Sequence, residues 1–354
     1  MAGSIGVEAV MKNLFIGRGN MPGRVVARTG ADLTLAEKIL TEGGFQLVRA
    51  PLWTEEDIIK YASDADAMIS GSTEPYTKKV IETLTKAKII SRIGIGFNNI
   101  DVEEATRQGI PVSVVLDASI HEVSDHAMAF LLSFSRKILP LAQFVGKGAW
   151  KAGSMDIVKM RGQMFRLNQQ TLGLVGVGRI GSRMAPKAQA FGMRVLGYDP
   201  YLSAQELQQK GVEKVEFDTL LKESDFISLH APLTPETRGM FGLKEFRKMK
   251  PTAFIINTAR GALIDEQAIY QALVEGAIAG AGLDVTEPEP PRPDNPLLKL
   301  EQVLLTGHTA FYSETSSLEL QQKAAEAVVL ALRGQWPPFL VNPEVKEQGN
   351  RRIP

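Results

Sequence analysis

The chain has 354 residues, of which 44% are hydrophobic and 23% are charged, a composition typical of globular proteins. Its 40 basic and 40 acidic residues give a formal net charge of zero, which argues against a general nucleic-acid or membrane-surface partner, because both need a basic surface. The sequence has no cysteine, which excludes disulfides and thiolate chemistry. It shows neither a signal-peptide pattern nor an apolar run near the ~20 residues that span a bilayer, so we expect a cytoplasmic protein.

Short apolar runs alternate with helical segments along the first third of the chain, which predicts parallel strands joined by crossover helices. The predicted strands are residues 23–29, 46–50, 67–70, 88–93 and 111–115. A long helix is then expected to start near Ser119 and to end at Pro140. Residues 145–170 are polar and are predicted to be irregular.

A second block repeats this alternation, with predicted strands at residues 171–177, 193–199, 225–231, 252–258, 279–285 and 302–307. Ser203 and Asp218 are candidate helix N-caps, and a last helix is expected from about Ser313 to Leu332. Because 354 residues are more than one hydrophobic core usually serves, we expect two domains.

The second block opens with the sequence LGLVGVGRIG, in which Gly176, Gly178 and Gly181 form a G-x-G-x-x-G pattern between a predicted strand and a predicted helix. Bare backbone there allows a tight turn and close approach of a pyrophosphate, which the helix N-terminus attracts. The next strand ends in Asp199, 18 residues after Gly181. An acid at this place accepts hydrogen bonds from a ribose 2′-hydroxyl and repels a 2′-phosphate, so the pattern favours NAD over NADP.

Later strand ends of the same block carry candidate catalytic side chains, because ligands of such sheets bind at the carboxyl ends of the strands. Arg260 follows one strand, Asp284, Glu287 and Glu289 follow the next, and His308 follows the last. A guanidinium can hold a carboxylate with two hydrogen bonds, a histidine can donate a proton to a carbonyl oxygen, and a carboxylate can orient that histidine. The set suits a 2-oxo acid and its 2-hydroxy acid, although composition does not choose between the two glutamates.

Several stretches, in order along nearly the whole chain, resemble the D-isomer-specific 2-hydroxyacid dehydrogenase family. They are RIGIGFNNID (92–101), LGLVGVGRIG (172–181), GYDPYL (197–202), HAPLTPET (230–237), INTARGALID (256–265), GLDVTEPEP (282–290) and TGHTAFYSE (306–314). The resemblance implies an α/β protein of two domains. A Rossmann NAD-binding domain (residues 119–309) would be inserted in a discontinuous flavodoxin-like substrate domain (residues 1–118 and 310–354), in a homodimer with the active site between the domains.

The resemblance also assigns site residues. Arg260 matches the substrate-binding arginine, Glu289 the glutamate that pairs with the catalytic histidine, and His308 the acid/base. The backbone N–H groups of Gly94, Ile95 and Gly96 match the loop that holds the substrate carboxylate. Contacts to NAD are expected from Gly176, Gly178, Arg179, Ile180, Gly181, Asp199, His230, Pro232, Thr237, Thr258, Ala259, Asp284 and Ala310.

Three other histidines have more ordinary interpretations. His230 can be a structural residue near the cofactor. His121 and His126 are five residues apart, whereas zinc ligands on one helix face are four apart. We interpret both as packing or dimer-contact residues and predict no metal site. One departure from the family concerns Gly307, which stands where proline usually precedes the catalytic histidine; we expect it to hold His308 less firmly.

A second function remains open, because GYDPYL and residues 310–327 also resemble the C-terminal-binding-protein branch, whose members are NADH-dependent corepressors with the same catalytic residues. The neutral charge and the absence of a visible partner-binding tail in the sequence favour the enzyme. Formate enzymes of this fold are a weaker match, because they lack the glutamate that Glu289 supplies. The sequence does not select one acid or a reaction direction.

Overall fold

In the computed structural model, which describes residues 23–151 and 155–354, the chain forms two compact units. The first contains the described residues up to Ala118 together with Ser313–Pro354, and the second is formed by the described residues of Ser119–Tyr312. Each unit is built on one parallel β-sheet, as the alternation of strands and helices predicts.

The first unit begins with a five-stranded parallel sheet in the order β2-β1-β3-β4-β5, the strand order of flavodoxin-like folds. Its strands are β1 (Arg24–Arg28), β2 (Gln46–Ala50), β3 (Ala67–Ser70), β4 (Ile90–Arg92) and β5 (Val112–Val114). The helices between them are α1 (Thr34–Glu42), α2 (Glu55–Ala62), α3 (Lys78–Thr83) and α4 (Val102–Arg107).

The second unit has seven parallel strands in the order β12-β11-β10-β9-β6-β7-β8, a Rossmann arrangement with one added strand. Its strands are β6 (Thr171–Val175), β7 (Arg194–Tyr198), β8 (Glu213–Lys214), β9 (Phe226–Leu229), β10 (Phe254–Asn257), β11 (Gly280–Leu283) and β12 (Val303–Leu305). Its helices are α5 (Ile120–Arg136), α6 (Ile138–Gly146), α7 (Asp156–Arg161), α8 (Gly181–Ala190), α9 (Ala204–Gln209), α10 (Phe217–Glu223), α11 (Leu243–Phe246) and α12 (Glu266–Glu275).

The chain returns to the first unit through α13 (Glu314–Leu332). The side chain of its N-cap, Ser313, accepts a hydrogen bond from the backbone N–H of Ser316 at 2.9 Å. α13 and α1 pack on one face of the first sheet, and α2, α3 and α4 contribute to the core on the other face. Because both faces are covered, the strands β3 (AMIS) and β5 (VSV) are buried at every position.

Two strand glycines in the second unit admit helices close to the sheet. A Cβ on Gly173 in β6 would overlap the hydroxyl of Ser224 and lie 2.9 Å from Cγ of Leu220 on α10. A Cβ on Gly282 in β11 would lie 2.7 Å from Cγ of Phe130 on α5. Gly173 is the one glycine of LGLVGVGRIG outside the G-x-G-x-x-G pattern, and close packing is therefore its function.

Three local predictions are wrong. The predicted long helix ends at Lys137, which has φ of 49°, and Pro140 lies in the first turn of α6, where a missing N–H breaks no helical hydrogen bond. Asp218 lies inside α10, whose N-cap is Glu216. Residues 145–170 include the short helix α7. The predicted N-cap Ser203 is confirmed, because its side chain accepts from the backbone N–H of Glu206 at 3.2 Å.

Within the part of the chain that the structure describes, no single helix is long and apolar enough to cross a membrane. The consecutive helices α5 and α6 meet the length and composition requirements only together, across a bend of 62°. α5 itself contributes Ala127, Met128, Phe130 and Leu131 to the core of the second unit.

Candidate active site

The G-x-G-x-x-G segment forms the turn between β6 and α8. Gly176 has φ of 84°, and a Cβ there would lie 2.8 Å from the backbone nitrogen of Ala231. A Cβ on Gly181 would overlap the carbonyl oxygen of Gly176. The fold itself therefore requires both glycines, because either side chain would push the turn away from its neighbours.

Gly178 differs from its two neighbours, since no protein atom lies within 4 Å of the position that its Cβ would take. The turn is thus open on this side, at the N-terminus of α8. The side-chain hydroxyl of Thr258, after β10, is buried and has no hydrogen-bond partner. An open cradle of backbone N–H groups and an unsatisfied hydroxyl both fit a bound dinucleotide.

Asp199 is fixed beside this turn at the end of β7. It is 8% exposed, and its Oδ2 accepts a hydrogen bond from the backbone N–H of Val177 at 2.9 Å. Its Oδ1 accepts from the N–H of Tyr201 at 3.0 Å. Because each carboxylate oxygen can accept a second hydrogen bond, Asp199 retains the capacity to bind a ribose hydroxyl.

His230 follows β9 and packs against the glycine turn, with its Cδ2 3.5 Å from the position of a Cβ on Gly181. Its Nε2 lies 3.0 Å from Oγ of Ser228. Burial lowers the pKa of His230 from 6.5 to about 4, so the imidazole is neutral at neutral pH. A neutral, packed ring agrees with the structural interpretation of this residue.

The other predicted cofactor contacts lie on loops at the same edge of the second sheet. Thr237 Oγ1 donates to the carbonyl oxygen of Pro232 at 2.7 Å, which closes the turn after β9. Arg179 and Ile180 directly precede α8, with Arg179 exposed. The backbone N–H of Ala259 donates to the side chain of Asn257 at 3.0 Å.

Asn257 pins the loop that carries Arg260. Its Oδ1 accepts from the N–H of Ala259, and its Nδ2 donates to the carbonyl oxygen of Arg260 at 2.8 Å. On the far side of Arg260, a Cβ on Gly261 would overlap the backbone of Thr286. The backbone of Arg260 is therefore held on both sides. Sequence reasoning missed Asn257, although the buried polar residue at a strand end was a usable signal.

The guanidinium of Arg260 is a partly buried positive charge. Burial lowers its pKa below its usual value, and the negative charge of Glu289 opposes that change. An arginine stays protonated throughout the physiological range, so the site keeps a cation whose field is poorly screened. Its Nη1 donates to the carbonyl oxygen of Ala259 at 2.5 Å.

His308 and Glu289 form a close pair, with 2.5 Å between Nδ1 and Oε1. Their side chains are 34% and 40% exposed. Because an ionised carboxylate only accepts hydrogen bonds, Nδ1 carries the hydrogen, and Nε2 is left for another partner. The structure thus pairs Glu289 with His308, and the charge of Glu289 also acts on Arg260. Glu287 and Glu289 are both exposed residues of one loop, and Glu289 is the one that contacts His308.

Asp284 anchors the loop that contains His308. Its Oδ1 accepts from the hydroxyl of Thr306 at 2.6 Å and from the N–H of Thr309 at 2.9 Å. Its Oδ2 accepts from the N–H of Ala310 at 3.0 Å, and its carbonyl oxygen accepts from the N–H of His308 at 2.7 Å. Asp284 was predicted as a cofactor contact; the structure gives it this loop-anchoring function as well.

The backbone of His308 has φ of 53°, a conformation that non-glycine residues adopt rarely and keep only when neighbours enforce it. The preceding Gly307 is exposed, and a side chain there would meet no protein atom within 4 Å. The hydrogen bonds of Asp284 hold the histidine in place, and the expected effect of Gly307 on His308 stays a prediction.

In the first unit, the predicted carboxylate loop of Gly94, Ile95 and Gly96 follows β4. Gly94 has φ of 128°, and its carbonyl oxygen accepts from the N–H of Val115 at 3.1 Å. The Arg92 guanidinium lies against it, with Nη1 2.7 Å from the position of a Cβ on Gly94. The positive φ favours glycine at this position.

Two features of the first sheet's carboxyl edge had no motif in the sequence. Glu74 is 2% exposed and accepts from Nε of Arg28 at 3.2 Å. The guanidinium of Arg28 lies 4.2 Å from the ring centre of Trp53. A partly buried ion pair of this kind is visible only after the end of β1 and the loops that follow β2 and β3 have been placed.

His126 was interpreted as a packing or dimer-contact residue, and the structure gives it a hydrogen-bond partner as well. Its ring does pack edge-on against Phe130, with centroids 4.8 Å apart. Its Nε2 also lies 3.0 Å from the hydroxyl of Thr306, the residue that donates to Asp284. Among the described residues, no three His, Asp or Glu side chains are arranged to hold a metal ion.

Comparisons with known proteins agree with this geometry. Residues 128–310 match the model of the NAD binding domain of D-isomer specific 2-hydroxyacid dehydrogenases. A glyoxylate reductase of Korarchaeum cryptofilum is 41% identical, over 83% of this chain and 90% of the relative. A D-3-phosphoglycerate dehydrogenase of Methanocaldococcus jannaschii is also 41% identical, over 87% of this chain but only 57% of the relative.

A crystal structure of D-lactate dehydrogenase from Aquifex aeolicus, in complex with NAD and lactic acid, superimposes with a TM-score of 0.79 at 29% identity, covering 90% of this chain and 98% of that chain. The glycine turn and the open cradle at Gly178 fit the same cofactor. The chain therefore belongs to the D-isomer specific 2-hydroxyacid dehydrogenase family, and it is an NAD-dependent oxidoreductase of that family.

Proposed function

We propose that the protein interconverts a 2-oxo acid and a D-2-hydroxy acid, with His308 as the acid/base. The observation that carries the proposal is the 2.5 Å contact between His308 and Glu289. Asp284 anchors the loop that contains His308, and Arg260 belongs to the same unit. A histidine held in one tautomer beside a cationic anchor suits proton transfer to a carbonyl oxygen.

In the direction of reduction, Glu289 accepts a hydrogen bond from Nδ1–H of His308. Nε2 of His308 transfers its proton to the carbonyl oxygen of the substrate. NADH, when bound, supplies the hydride. Arg260 binds the substrate carboxylate and polarises the carbonyl, because its fork of donors matches a carboxylate. In the first unit, we assign substrate binding to the backbone N–H groups of Gly94–Gly96. In the reverse direction Nε2 accepts the proton of the hydroxyl group.

We assign cofactor binding to the second unit, since the matched NAD-binding region, residues 128–310, falls within it. The backbone at Gly176, Gly178 and Gly181 would hold the pyrophosphate, and Asp199 the adenosine ribose. Thr258 would use its free hydroxyl on the cofactor. We assign the substrate loop, and with it the substrate domain, to the first unit.

A homodimer is part of the proposal. α6 has the sequence ILPLAQFVG and buries none of its residues, and the exposed apolar residues of this region include Leu139, Trp150 at 65% and Met155 at 62%. Exposed apolar clusters of this kind mark interaction sites. Sedimentation of the wild type and of a Leu139→Asp variant tests the homodimer. We expect the wild type to be a dimer and the new carboxylate to weaken it, and a monomeric wild type would contradict the proposal.

We also propose a cytoplasmic location.

A substrate panel tests the function. Glyoxylate, hydroxypyruvate, pyruvate and longer 2-oxo acids are each supplied with NADH, and oxidation of NADH is followed by absorbance. We expect at least one acid to turn over at 1 s⁻¹ or faster, in the range of about 1–10³ s⁻¹ of typical enzymes. Turnover below ~0.1 s⁻¹ on every acid would instead favour an NADH-dependent binding protein such as a corepressor.

A further inference from the structure

A chain of hydrogen bonds connects helix α5 to the loop of His308, and its direction can be deduced. The carboxylate of Asp284 can only accept, so the hydroxyl of Thr306 donates to it across 2.6 Å. That hydroxyl has one hydrogen and must therefore accept from His126, whose Nε2 lies 3.0 Å away. His126 thus carries a hydrogen on Nε2.

Packing against β11 holds helix α5 close enough for His126 to reach Thr306. Phe130, one turn after His126, packs against Gly282, where a Cβ would lie 2.7 Å from the phenylalanine ring. Gly282 lies on β11, two residues before Asp284. α5 is therefore seated directly on the strand that ends in the loop anchor, and His126 reaches Thr306 from the same helix face.

The hydrogen bond from His126 has a consequence for the catalytic loop. Without it, the hydroxyl of Thr306 is free to turn away from Oδ1 of Asp284, the oxygen that also receives the N–H of Thr309 at 2.9 Å. The carboxylate of Asp284 also accepts the N–H of Ala310 at 3.0 Å, so it holds the two residues that follow His308, and the backbone carbonyl oxygen of Asp284 accepts the N–H of His308 at 2.7 Å. A change of Thr306 is thereby transmitted to His308 through one shared residue.

We propose that His126 is a positioning residue of the reaction, which fixes the His308 loop through Thr306 and Asp284. The inference rests on the proposed role of His308. His126 does not contact the reacting groups in this account; it acts by keeping His308 within the narrow range of positions that proton transfer requires, because small displacements of a catalytic group cost large factors in rate.

Paired variants separate hydrogen bonding from packing. His126→Phe keeps an aromatic ring beside Phe130 but has no donor, and Thr306→Val keeps the shape of threonine without its hydroxyl. We expect each to lower kcat for reduction of the preferred 2-oxo acid about tenfold with KM little changed, and the double variant to lose no more than either single one, because the two residues act in one chain.

Two further variants are the controls. His126→Gln restores an N–H donor and is expected to recover most of the loss seen with His126→Phe. His121→Phe changes an exposed histidine of the same helix and should leave kcat unchanged. A kcat of His126→Phe equal to the wild type, additive losses in the double variant, or no recovery with glutamine would each overturn the inference.

The same assay with His308→Asn keeps the two proposals apart. If His308→Asn retains turnover, the proposed function fails, whatever His126 does. If His308→Asn loses turnover and His126→Phe does not, only the positioning inference fails.

Discussion

Nδ1 of His308 lies 2.5 Å from Oε1 of Glu289, and this contact fixes which ring nitrogen faces outward. The carboxylate accepts the Nδ1 hydrogen, so the proton to be transferred is on Nε2. The backbone of His308, at φ of 53°, is held by Asp284. The tautomer of the ring thus depends on Glu289, and the position of the His308 backbone depends on Asp284.

Replacing Glu289 with glutamine should impair the chemical step. The amide can donate to Nδ1 and so stabilise the wrong tautomer of His308, and it removes the negative charge beside the ring. By analogy with serine-protease triads, we expect kcat to fall on the order of 10²- to 10⁴-fold, with NADH affinity unchanged, as measured by steady-state kinetics and fluorescence titration. Glu287→Gln in the same loop is the control, and equal effects of the two changes would contradict the assignment.

Alanine substitutions at Gly181 and Gly178 of the G-x-G-x-x-G pattern should affect different quantities, the first stability and the second NADH binding. Gly181→Ala forces a Cβ onto the carbonyl oxygen of Gly176, so we expect the free energy of unfolding to fall by about 1–3 kcal/mol. Gly178→Ala meets no protein atom within 4 Å, so stability should change by less than about 0.5 kcal/mol while the Kd for NADH rises at least about tenfold. Urea unfolding and NADH fluorescence measure the two quantities. Unchanged NADH binding in Gly178→Ala would remove Gly178 from the cofactor site.

Acid should destabilise the fold through His230. Burial lowers its pKa to about 4 in the folded protein, whereas the unfolded chain has a value near 6.5. The unfolded state therefore binds the extra proton first, and stability falls as the pH drops from about 6.5 toward 4. We expect this residue to account for a loss of about 2 kcal/mol between pH 7.5 and pH 5.

Urea unfolding at both pH values, for the wild type and His230→Gln, measures this contribution. The variant should lose about 2 kcal/mol less on acidification than the wild type, whatever its stability at pH 7.5. An equal loss in both proteins would show that His230 titrates normally.

The sequence predicted the fold well because its signals are local. Strands β2 and β3 match their predicted limits, since a buried parallel strand is a short apolar run with clear ends. The break at Lys137 was missed because nothing in SRKILP marks a left-handed residue, and proline was the more visible signal. Pro140 is tolerated in the first turn of α6, and the sequence pattern alone did not locate the start of that helix.

The candidate site divides in the same way. Arg260, Glu289 and His308 could be named because each follows a strand or lies within a recognisable motif. Asn257, Thr306 and His126 were missed or interpreted otherwise, because their importance depends on hydrogen bonds between strand ends, and between α5 and β12, that no spacing reveals. Sequence patterns named the groups to which we assign ligand or catalytic roles, and the three-dimensional contacts were needed to find the groups that hold them.

The kinetics of His308→Asn test the central claim most directly. Asparagine tolerates the positive φ of this position but cannot transfer a proton, so the change leaves the loop intact and removes the acid/base. With the preferred 2-oxo acid and saturating NADH, we predict that kcat falls roughly 10²- to 10⁴-fold while the Kd for NADH stays within about twofold. Turnover near that of the wild type, with NADH binding intact, would contradict the assignment of His308 as the acid/base.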